Sequence, residues 1–347
     1  MRILVTGHRG YIGAVLVPLL LEEGFEVVGL DSEWFAACPF GGLSEAAVPS
    51  LRRDFRDVTA ADLAGFGAVL HLAGLSNDPL GDIDPTLTHH VNTVGSLRLA
   101  RAAKEAGVER FVFSSSCSTY GAAGDAPLDE SADFNPVTPY GVSKVDVERG
   151  LAALADQSFS PVFLRNATAY GVSPRLRLDL VLNNLVAWAH ATGKVRLLSD
   201  GSPWRPLVHV EDISRAFVAV LRAPRDLVHG EAFNVGRSDE NFRIREVAEI
   251  VVATVPGSTL EIAEGAGPDQ RTYRVDFAKI ERTLPGFAAH WTVRAGAAEL
   301  YDAYRAANLT WDDFQGPRYK RLAEIQRLLA AGDLSRDLRW LASPVAG

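Results

Sequence analysis

Short apolar segments alternate with longer helical patterns over the first two-thirds of the chain. Runs of apolar residues predict strands at 2–5, 26–30, 68–72, 110–114 and 161–165, and the patterns between them predict helices at 12–23, 85–105 and 139–155. Strands that alternate with helices in this way are typical of a parallel sheet with helices on both faces. The pattern therefore predicts an α/β fold.

The pattern becomes less regular after about residue 166. Helices predicted over 180–191, 242–255 and 293–305 are expected to form a smaller lobe that closes over the carboxyl edge of the sheet. Residues 310–340 are amphipathic and charged, so we expect a surface helix that packs on the body of the protein or on a partner subunit. The predicted organisation is a domain of residues 1–165 with a return segment at about 205–235, a lobe of residues 166–204 and 236–309, and a helical extension of residues 310–347.

A glycine-rich segment with the sequence GHRGYIG, residues 7–13, directly follows the first predicted strand and opens the first predicted helix. Glycines permit a tight turn and let backbone N–H groups approach a pyrophosphate at the helix N-terminus. Three spaced glycines alone are weak evidence, but the strand–loop–helix context is the one that this motif requires. The residues expected to contact a dinucleotide here are Gly7, Arg9, Gly10, Tyr11, Ile12 and Gly13.

The end of the second predicted strand carries Asp31, a carboxylate that can accept hydrogen bonds from an adenosine ribose and repel a 2′-phosphate. Arg9 favours the opposite choice, because an arginine in this loop can bind that phosphate. We give the carboxylate more weight and predict NAD rather than NADP. Further cofactor contacts are predicted at the ends of neighbouring strands, by Asp54, Phe55, Leu72, Ala73 and Gly74.

Tyr140 and Lys144 are four residues apart on a predicted helix and therefore share one face. A phenol has a pKa of about 10, and a neighbouring ammonium group stabilises its phenolate form. Such a tyrosine can accept a proton from a sugar hydroxyl while hydride passes from the same carbon to a nicotinamide. A serine-rich strand end at 114–116 offers a hydroxyl to relay that proton, and we favour Ser116 over Ser114 and Ser115.

Composition narrows the function further. The chain has 347 residues and a formal net charge of −8, which argues against general binding of nucleic acid. Its two cysteines cannot form a disulfide framework, which fits a reducing cytoplasm. We expect no metal site, no signal peptide and no membrane span, and therefore a cytoplasmic protein.

These motifs occur together in one known family. The chain resembles extended short-chain dehydrogenases/reductases, specifically the NAD-dependent nucleotide-sugar epimerases and dehydratases, over about residues 1–305. The resemblance implies a Rossmann-like doubly wound sheet, a smaller C-terminal lobe that binds a nucleotide-diphosphate sugar, and a homodimer. The segments that carry it are 6–13, Asp31, Asn92, 114–121, 140–144, 183–184, 205–212 and 233–236.

The same resemblance implies roles for individual residues. Ser116 takes the place of the catalytic hydroxyl, and Ser114 and Asn92 match positions near the cofactor. Thr168 stands where many sugar epimerases have Asn, so the sugar pocket is expected to differ there. Arginines can bind a diphosphate or an anionic sugar such as a uronic acid. The residues expected to contact the diphosphate are Asn184, Arg205 and Arg271, and those expected to meet an anionic sugar are Arg175 and Arg177.

The positions at which this chain departs from the patterns of individual family members help to distinguish between their activities. The 4,6-dehydratases carry Asp-Glu directly after the catalytic hydroxyl, where this chain has Cys117 and Ser118. Members that epimerise at other carbons carry His or Lys where this chain has Arg177, which cannot release its proton. The leading hypothesis is therefore an NAD-dependent 4-epimerase that acts through a transient 4-keto sugar, on a hexose or a uronic acid. The alternatives are a 4-ketosugar reductase with the same Ser-Tyr-Lys triad, a 4,6-dehydratase, and a non-catalytic sugar-nucleotide sensor.

Overall fold

A computed structural model describes residues 1–76, 84–263 and 271–341. The strands are β1 (Arg2–Thr6), β2 (Glu26–Asp31), β3 (Ser50–Arg52), β4 (Ala68–His71), β5 (Arg110–Ser116), β6 (Ala122–Leu128), β7 (Ser160–Asn166), β8 (Thr168–Tyr170), β9 (Lys194–Leu197), β10 (Trp204–His209), β11 (Ala232–Val235), β12 (Asn241–Arg243), β13 (Thr259–Ile262) and β14 (Thr272–Val275).

The helices alternate with these strands through the first part of the chain. They are α1 (Gly13–Glu22), α2 (Pro85–Thr88), α3 (Ser96–Glu105), α4 (Pro139–Ala152), α5 (Val181–Thr192), α6 (Val210–Arg222), α7 (Arg225–Val228), α8 (Ile244–Thr254), α9 (Ala278–Thr283), α10 (Val293–Ala306), α11 (Trp311–Gln315) and α12 (Arg321–Ala330). None of the helices in the described ranges is long and apolar enough to cross a membrane.

Seven strands form one sheet in the order β3-β2-β1-β4-β5-β7-β11, and every neighbouring pair is parallel. The order reverses between β1 and β4, which is where doubly wound sheets bind their ligands at the carboxyl ends of the strands. The central strands are buried along nearly their whole length, as expected when helices cover both faces. The predicted α/β, Rossmann-like fold is confirmed.

Most predicted elements occur with small changes in their bounds. The helix predicted over 85–105 is instead divided, because a π-helical stretch, His89–Gly95, separates α2 from α3. Asn92 in this stretch accepts a hydrogen bond from the Leu75 N–H at 2.8 Å and donates one to the Leu75 carbonyl at 2.9 Å. The π stretch therefore places Asn92 against the segment that follows β4.

The second part of the chain forms a lobe around α5, α8 and α10, and three small sheets, one of which includes β6 from the first part, accompany it. The sheets pair β10 with β8 and β12, β9 with β13, and β6 with β14. The strands β8 to β14 have only three to six residues each, which is too short for a clear alternating pattern. The sequence therefore predicted only the helices in this part of the chain. The apolar interior of the lobe includes Leu182, Val186, Val251, Val293 and Leu300.

The C-terminal segment, which we define as residues 310–341, is not a single surface helix. It folds as α11, a 3₁₀ turn at Pro317–Tyr319, α12 and an irregular end. Ile325, Leu328 and Leu338 are buried in the same apolar core as strands β1, β4 and β5. The segment therefore forms part of the body of the protein, and its burial there was not evident from its amphipathic pattern.

A buried ion pair connects α4 to β7 beneath the carboxyl edge of the sheet. Arg165 donates to both carboxylate oxygens of Glu148, with an Nη2–Oε2 distance of 2.8 Å. The Arg165 Nη1 group also donates to the Tyr120 hydroxyl at 3.0 Å, and that hydroxyl donates to the Asn234 side chain at 2.8 Å. Both charged side chains are at least 93% buried, so each depends on the other for its stabilisation.

We therefore expect Glu148→Ala to lower the free energy of unfolding by about 3–5 kcal/mol, because it leaves the Arg165 charge buried without its carboxylate partner. Urea denaturation followed by circular dichroism measures this change. Glu105→Ala, at an exposed position on α3, is the control and should have an effect below about 0.5 kcal/mol. A loss below about 1 kcal/mol for Glu148→Ala would show that the pair does not stabilise the fold.

Candidate cofactor and sugar-nucleotide site

Only glycine fits at both ends of the loop between β1 and α1, because the loop passes close to the backbone after β4 at Gly7 and folds back on itself at Gly13. Gly7 has a φ of +74°, and a Cβ there would lie 2.9 Å from the backbone nitrogen of Ala73. A Cβ on Gly13 would lie 2.3 Å from the Gly7 carbonyl oxygen. The Gly10 N–H donates to that oxygen at 2.9 Å, and α1 begins at Gly13. The loop is therefore a cradle of the kind that binds a pyrophosphate at a helix N-terminus.

A cavity of about 840 Å³ lies over this loop and brings together most of the predicted site. Asn92 and Arg175 are the two predicted residues outside its wall. The predicted residues on the wall are Gly7, Arg9, Gly10, Tyr11, Ile12, Gly13, Asp31, Asp54, Phe55, Leu72, Ala73, Gly74, Ser114, Ser116, Tyr140, Lys144, Thr168, Arg177, Asn184, Arg205 and Arg271.

Asp31 marks one end of the cavity. Its carboxylate accepts hydrogen bonds from the backbone N–H groups of Arg9 at 3.1 Å and Glu33 at 2.7 Å. Desolvation raises the pKa of Asp31, and the Glu33 N–H and the nearby His8 act in the opposite direction. The Arg9 side chain is neutralised by Glu33 at 2.7 Å and Glu45 at 2.9 Å. These carboxylates repel a 2′-phosphate, so this end of the cavity favours NAD over NADP.

Asp54 and Phe55 lie beside this end, after β3. Asp54 caps a 3₁₀ turn by accepting from the Arg56 N–H at 2.9 Å, and the Arg56 guanidinium binds its carboxylate at 2.7 Å. A guanidinium nitrogen of Arg339, from the C-terminal segment, lies 3.3 Å from the same carboxylate. Asp54 is therefore held rigidly at the cavity wall by two cations.

The Tyr140–Lys144 pair lies at the opposite end, on the first turns of α4. Thr138 caps this helix by accepting from the Gly141 N–H at 3.1 Å. The Lys144 Nζ donates to the Ser114 carbonyl at 2.7 Å and lies 5.5 Å from the centre of the Tyr140 ring. Burial lowers the pKa of Lys144 to about 8, and the negative charge of Glu148 opposes that change. Lys144 is therefore mainly charged at neutral pH.

The three serines at the end of β5 have different partners. Ser115 donates its hydroxyl proton to Glu148, beneath the sheet edge. Ser114 accepts from the Asn166 side chain at 3.1 Å, and Ser116 accepts from the Ser118 N–H at 3.1 Å. The Ser116 hydroxyl keeps its proton for donation into the cavity, and it is the most exposed of the three.

Cys117, the next residue, is turned away from the cavity. Its side chain is fully buried, and its thiol donates to the Arg165 carbonyl at 3.1 Å. Burial raises the pKa of this thiol well above its ordinary value. Cys117 therefore has neither the position nor the charge of a reactive group.

The lobe supplies the other wall. The Asn184 amide donates to the Leu178 carbonyl at 2.8 Å. Arg205 donates to the Trp204 carbonyl at 2.8 Å and to the carbonyl of Arg271, which joins the two arginines. Thr168 lies on the strand next to β10, facing the same cavity. The wall that the lobe supplies therefore carries the cations that a nucleoside diphosphate needs.

Arg175 and Arg177 have different environments although they are two residues apart. Arg175 donates to the carbonyls of Phe35 at 2.7 Å and Ala36 at 2.9 Å, so it fixes the segment after β2 and does not reach the sugar end. Arg177 is on the wall, where it binds Asp179 through two hydrogen bonds of 3.0 and 2.9 Å. Its third contact is the Ser76 hydroxyl at 3.1 Å.

Sequence reasoning missed several wall residues that come from distant parts of the chain. Asp179 had a detectable signal, since it follows Arg177 at a spacing that permits an ion pair. The others had no local signal, because only the tertiary fold brings them to the cavity. They are Trp34, Phe35, Ser76, Tyr273 and Arg321.

Residues 3–236 match the model of the NAD dependent epimerase/dehydratase family. The chain belongs to this family. The UDP-glucose 4-epimerase of Mycolicibacterium smegmatis is 34% identical over 324 residues, which cover 88% of this chain and 99% of that protein. Membership makes the chain an NAD-dependent enzyme, which agrees with the glycine cradle and the carboxylates at Asp31.

Two solved structures of the family are similar to the whole fold. MoeE5 in complex with UDP-glucuronic acid and NAD has a TM-score of 0.77 and 28% identity, with 88% of this chain and 99% of that chain covered. The dTDP-glucose 4,6-dehydratase DesIV from Streptomyces venezuelae, with NAD bound, has a TM-score of 0.77 and 26% identity, with 88% and 97% covered. A dehydratase therefore has a similar fold to this chain, and the fold alone does not identify the reaction.

We expect Gly13→Ala to abolish retention of NAD, because its Cβ would displace the Gly7 carbonyl and widen the loop. The measurement is the amount of NAD released when purified protein is denatured. Gly24→Ala is the control: Gly24 has a φ of +79° and no atom within 4 Å of its Cβ position, so this change adds backbone strain without moving the loop. Equal NAD content in the two variants would contradict the assigned cradle.

Proposed function

We propose that this protein is a nucleotide-sugar 4-epimerase that acts on a UDP sugar through a transient 4-keto intermediate. The observation that carries the proposal is the arrangement of Ser116, Tyr140 and Lys144 without an added acid–base pair beside Ser116. The relatives named UDP-glucose 4-epimerase support the choice of nucleotide. Both hexoses and uronic acids are candidate sugars, because Arg177, which can bind a carboxylate, lies on the cavity wall.

The protein side of the reaction follows from the triad. Ser116 donates a hydrogen bond to the oxygen on carbon 4, and Tyr140 accepts the proton of that hydroxyl. The charged Lys144 stabilises the Tyr140 phenolate, and the N-terminus of α4 adds a favourable dipole. The chemistry that bound NAD supplies is the reversible acceptance of a hydride from carbon 4.

Epimerisation then needs only that the keto sugar turn within the cavity before the hydride returns to its other face. Tyr140 gives the proton back to the same oxygen, so the triad ends the cycle in its starting state. Every proton step uses one oxygen atom of the substrate. A single Ser-Tyr-Lys set is therefore sufficient for inversion at carbon 4.

Loss of water from a 4-keto sugar requires a further acid and base at carbons 5 and 6. At the two positions after Ser116, this chain has a buried thiol, Cys117, and a hydroxyl, Ser118. Neither side chain supplies a carboxylate. This difference favours epimerisation over the 4,6-dehydratase reaction of DesIV.

We also propose that the protein is a homodimer, as the family resemblance implies, and that it is cytoplasmic, which its two free cysteines favour. Val94 and Val142 are 47% and 43% exposed on the π-helical stretch and on α4. Two exposed valines on adjoining helical segments support a contact with a second copy.

The proposed function predicts that the purified protein carries about one NAD per chain and interconverts a pair of UDP sugars that differ at carbon 4, without added cofactor. UDP-glucose, UDP-galactose and both UDP uronic acids, together with dTDP- and GDP-glucose, form the test panel, with products resolved by chromatography. Protein that arrives without NAD and acts only with added NAD(P)H on a 4-keto sugar would identify a reductase instead. Formation of a 4-keto-6-deoxy sugar would identify a dehydratase.

Tyr140→Phe provides the matched test of the triad, because it removes the phenolic proton acceptor with little change in volume. The turnover rate should fall by about 10²–10⁴-fold while bound NAD is retained. Tyr301→Phe, on α10 beside His190, is the control and should keep full activity. Unchanged turnover in Tyr140→Phe would remove this tyrosine from the reaction.

A further inference from the structure

The C-terminal segment crosses the outer side of the cofactor end of the cavity. The Tyr319 carbonyl accepts from the Leu178 N–H at 2.8 Å, and the Tyr319 ring packs against Phe40 with centroids 5.8 Å apart. Near its other end, the Trp340 indole donates to the Ser32 carbonyl at 2.7 Å, directly after Asp31. The segment is thus fixed at Tyr319 and Trp340 to parts of the chain that carry wall residues, namely Arg177 and Asp179 on one side and Asp31 and Ser32 on the other. The family match ends before this segment, at residue 236.

Arg321, the first residue of α12, is a charged residue of this segment that lies on the cavity wall. The residue is only 3% exposed, and its guanidinium lies 4.0 Å from the centre of the Phe35 ring. The Nη2 group donates to the Arg175 carbonyl at 3.1 Å. The Nη1 group is buried and makes no hydrogen bond within the described part of the chain.

Arg321 is buried next to another cation. Burial and the nearby Arg177 lower the pKa of Arg321 to about 10, and the carboxylate of Asp179 acts in the opposite direction, so Arg321 remains charged at neutral pH. The carboxylate in this cluster, Asp179, already binds Arg177 through both of its oxygens. A buried guanidinium with an unsatisfied N–H group is unfavourable unless an anion completes it.

The position of the two arginines indicates which anion this is. Arg321 packs on Phe35, a wall residue in the segment that follows β2 and Asp31. Arg177 contacts Ser76, after β4, and its charge acts on Tyr11 of the glycine loop and on Tyr140 of the catalytic end. A dinucleotide that extends from Asp31 to Lys144 has its pyrophosphate between these two ends. The glycine loop offers that group backbone N–H donors but no unpaired side-chain cation, because Arg9 is bound by two carboxylates.

We propose that Arg321, together with Arg177, is the outer half of the pyrophosphate site of NAD. The glycine loop binds the pyrophosphate from the sheet side, and the C-terminal segment covers it from the other side. This arrangement holds NAD in place between turnovers, which an epimerase needs because the same hydride must return to the sugar. The inference rests on NAD binding by this family and does not depend on which sugar is the substrate.

The test is the affinity of NAD-depleted protein for ADP-ribose and for adenosine, measured by titration calorimetry, with the NAD content of purified protein as a second readout. Arg321→Gln should weaken ADP-ribose binding at least tenfold and lower the retained NAD, while adenosine, which lacks the pyrophosphate, binds equally well. Arg321→Lys keeps the charge but not the planar fork, and should recover part of the affinity. Arg318→Gln is the matched control, because Arg318 is exposed on the same segment.

Thermal unfolding without ligand separates this role from a structural one. A binding role predicts a small change in Tm for the ligand-free Arg321→Gln protein and a clear loss of the increase in Tm that ADP-ribose produces. Unchanged ADP-ribose affinity would overturn the proposal. If the variant instead loses affinity only for UDP-glucuronate relative to UDP-glucose, the anion is a substrate carboxylate and the cofactor assignment is wrong. If Arg321→Gln does not fold, the Arg321→Lys titration decides: full ADP-ribose affinity would contradict a contact made by the guanidinium group, and reduced affinity would support it.

Discussion

The close approach of two backbones at the exits of β1 and β4 is the constraint on which the site depends. Gly7 and Gly13 leave no space for a side chain between the loop, the segment after β4 and the start of α1. This contact lies where the strand order of the sheet reverses, so the helix N-terminus and the carboxyl ends of the strands meet at one cavity. The cofactor path, the triad and the lobe are all placed relative to that point.

Charge is arranged around the cavity in two layers. Beneath the sheet edge, Glu148 faces both Arg165 and Ser115, and its negative charge partly offsets the effect of burial on Lys144. The neighbouring His71 adds no competing charge, since burial and Lys144 lower its pKa to about 3. Lys144 therefore acts on Tyr140 without a second charge from His71, and its Nζ lies 5.5 Å from the centre of the Tyr140 ring. On the outer side, the arginines are supplied by the lobe and by the C-terminal segment.

Features that depend on local sequence were predictable. The strand–loop–helix glycines and the four-residue spacing of Tyr140 and Lys144 follow from backbone geometry that a few consecutive residues determine. The fold class followed from the alternation of strands and helices, and the comparison with known family members confirmed it. The sequence did not predict the contacts of residues whose position is set by distant partners. Arg175 and Arg177 are the same type of residue in the same loop, yet Arg175 donates to the Phe35 carbonyl and Arg177 donates to Asp179.

The C-terminal segment shows the same limit more strongly. Its amphipathic pattern predicted one surface helix, whereas the segment forms two short helices and a 3₁₀ turn, and the pattern contains no information about which surface the apolar face covers. Arg321 reaches the cavity because Leu328 and Leu338 are buried beside the central sheet and because Trp340 binds Ser32. These contacts join residues about three hundred positions apart, which no spacing rule could have revealed.

In the proposed reaction, carbon 4 of one sugar is oxidised and then reduced in this cavity, and the hydride is not released. The most direct measurement uses a UDP sugar with deuterium at carbon 4, incubated with the native protein, with the product examined by nuclear magnetic resonance. We expect deuterium to remain at carbon 4 in both epimers, and no solvent deuterium to become bound to carbon 4 when the unlabelled sugar reacts in heavy water. Loss of the label from carbon 4, or its exchange with solvent, would show that the hydride is not kept between the two steps.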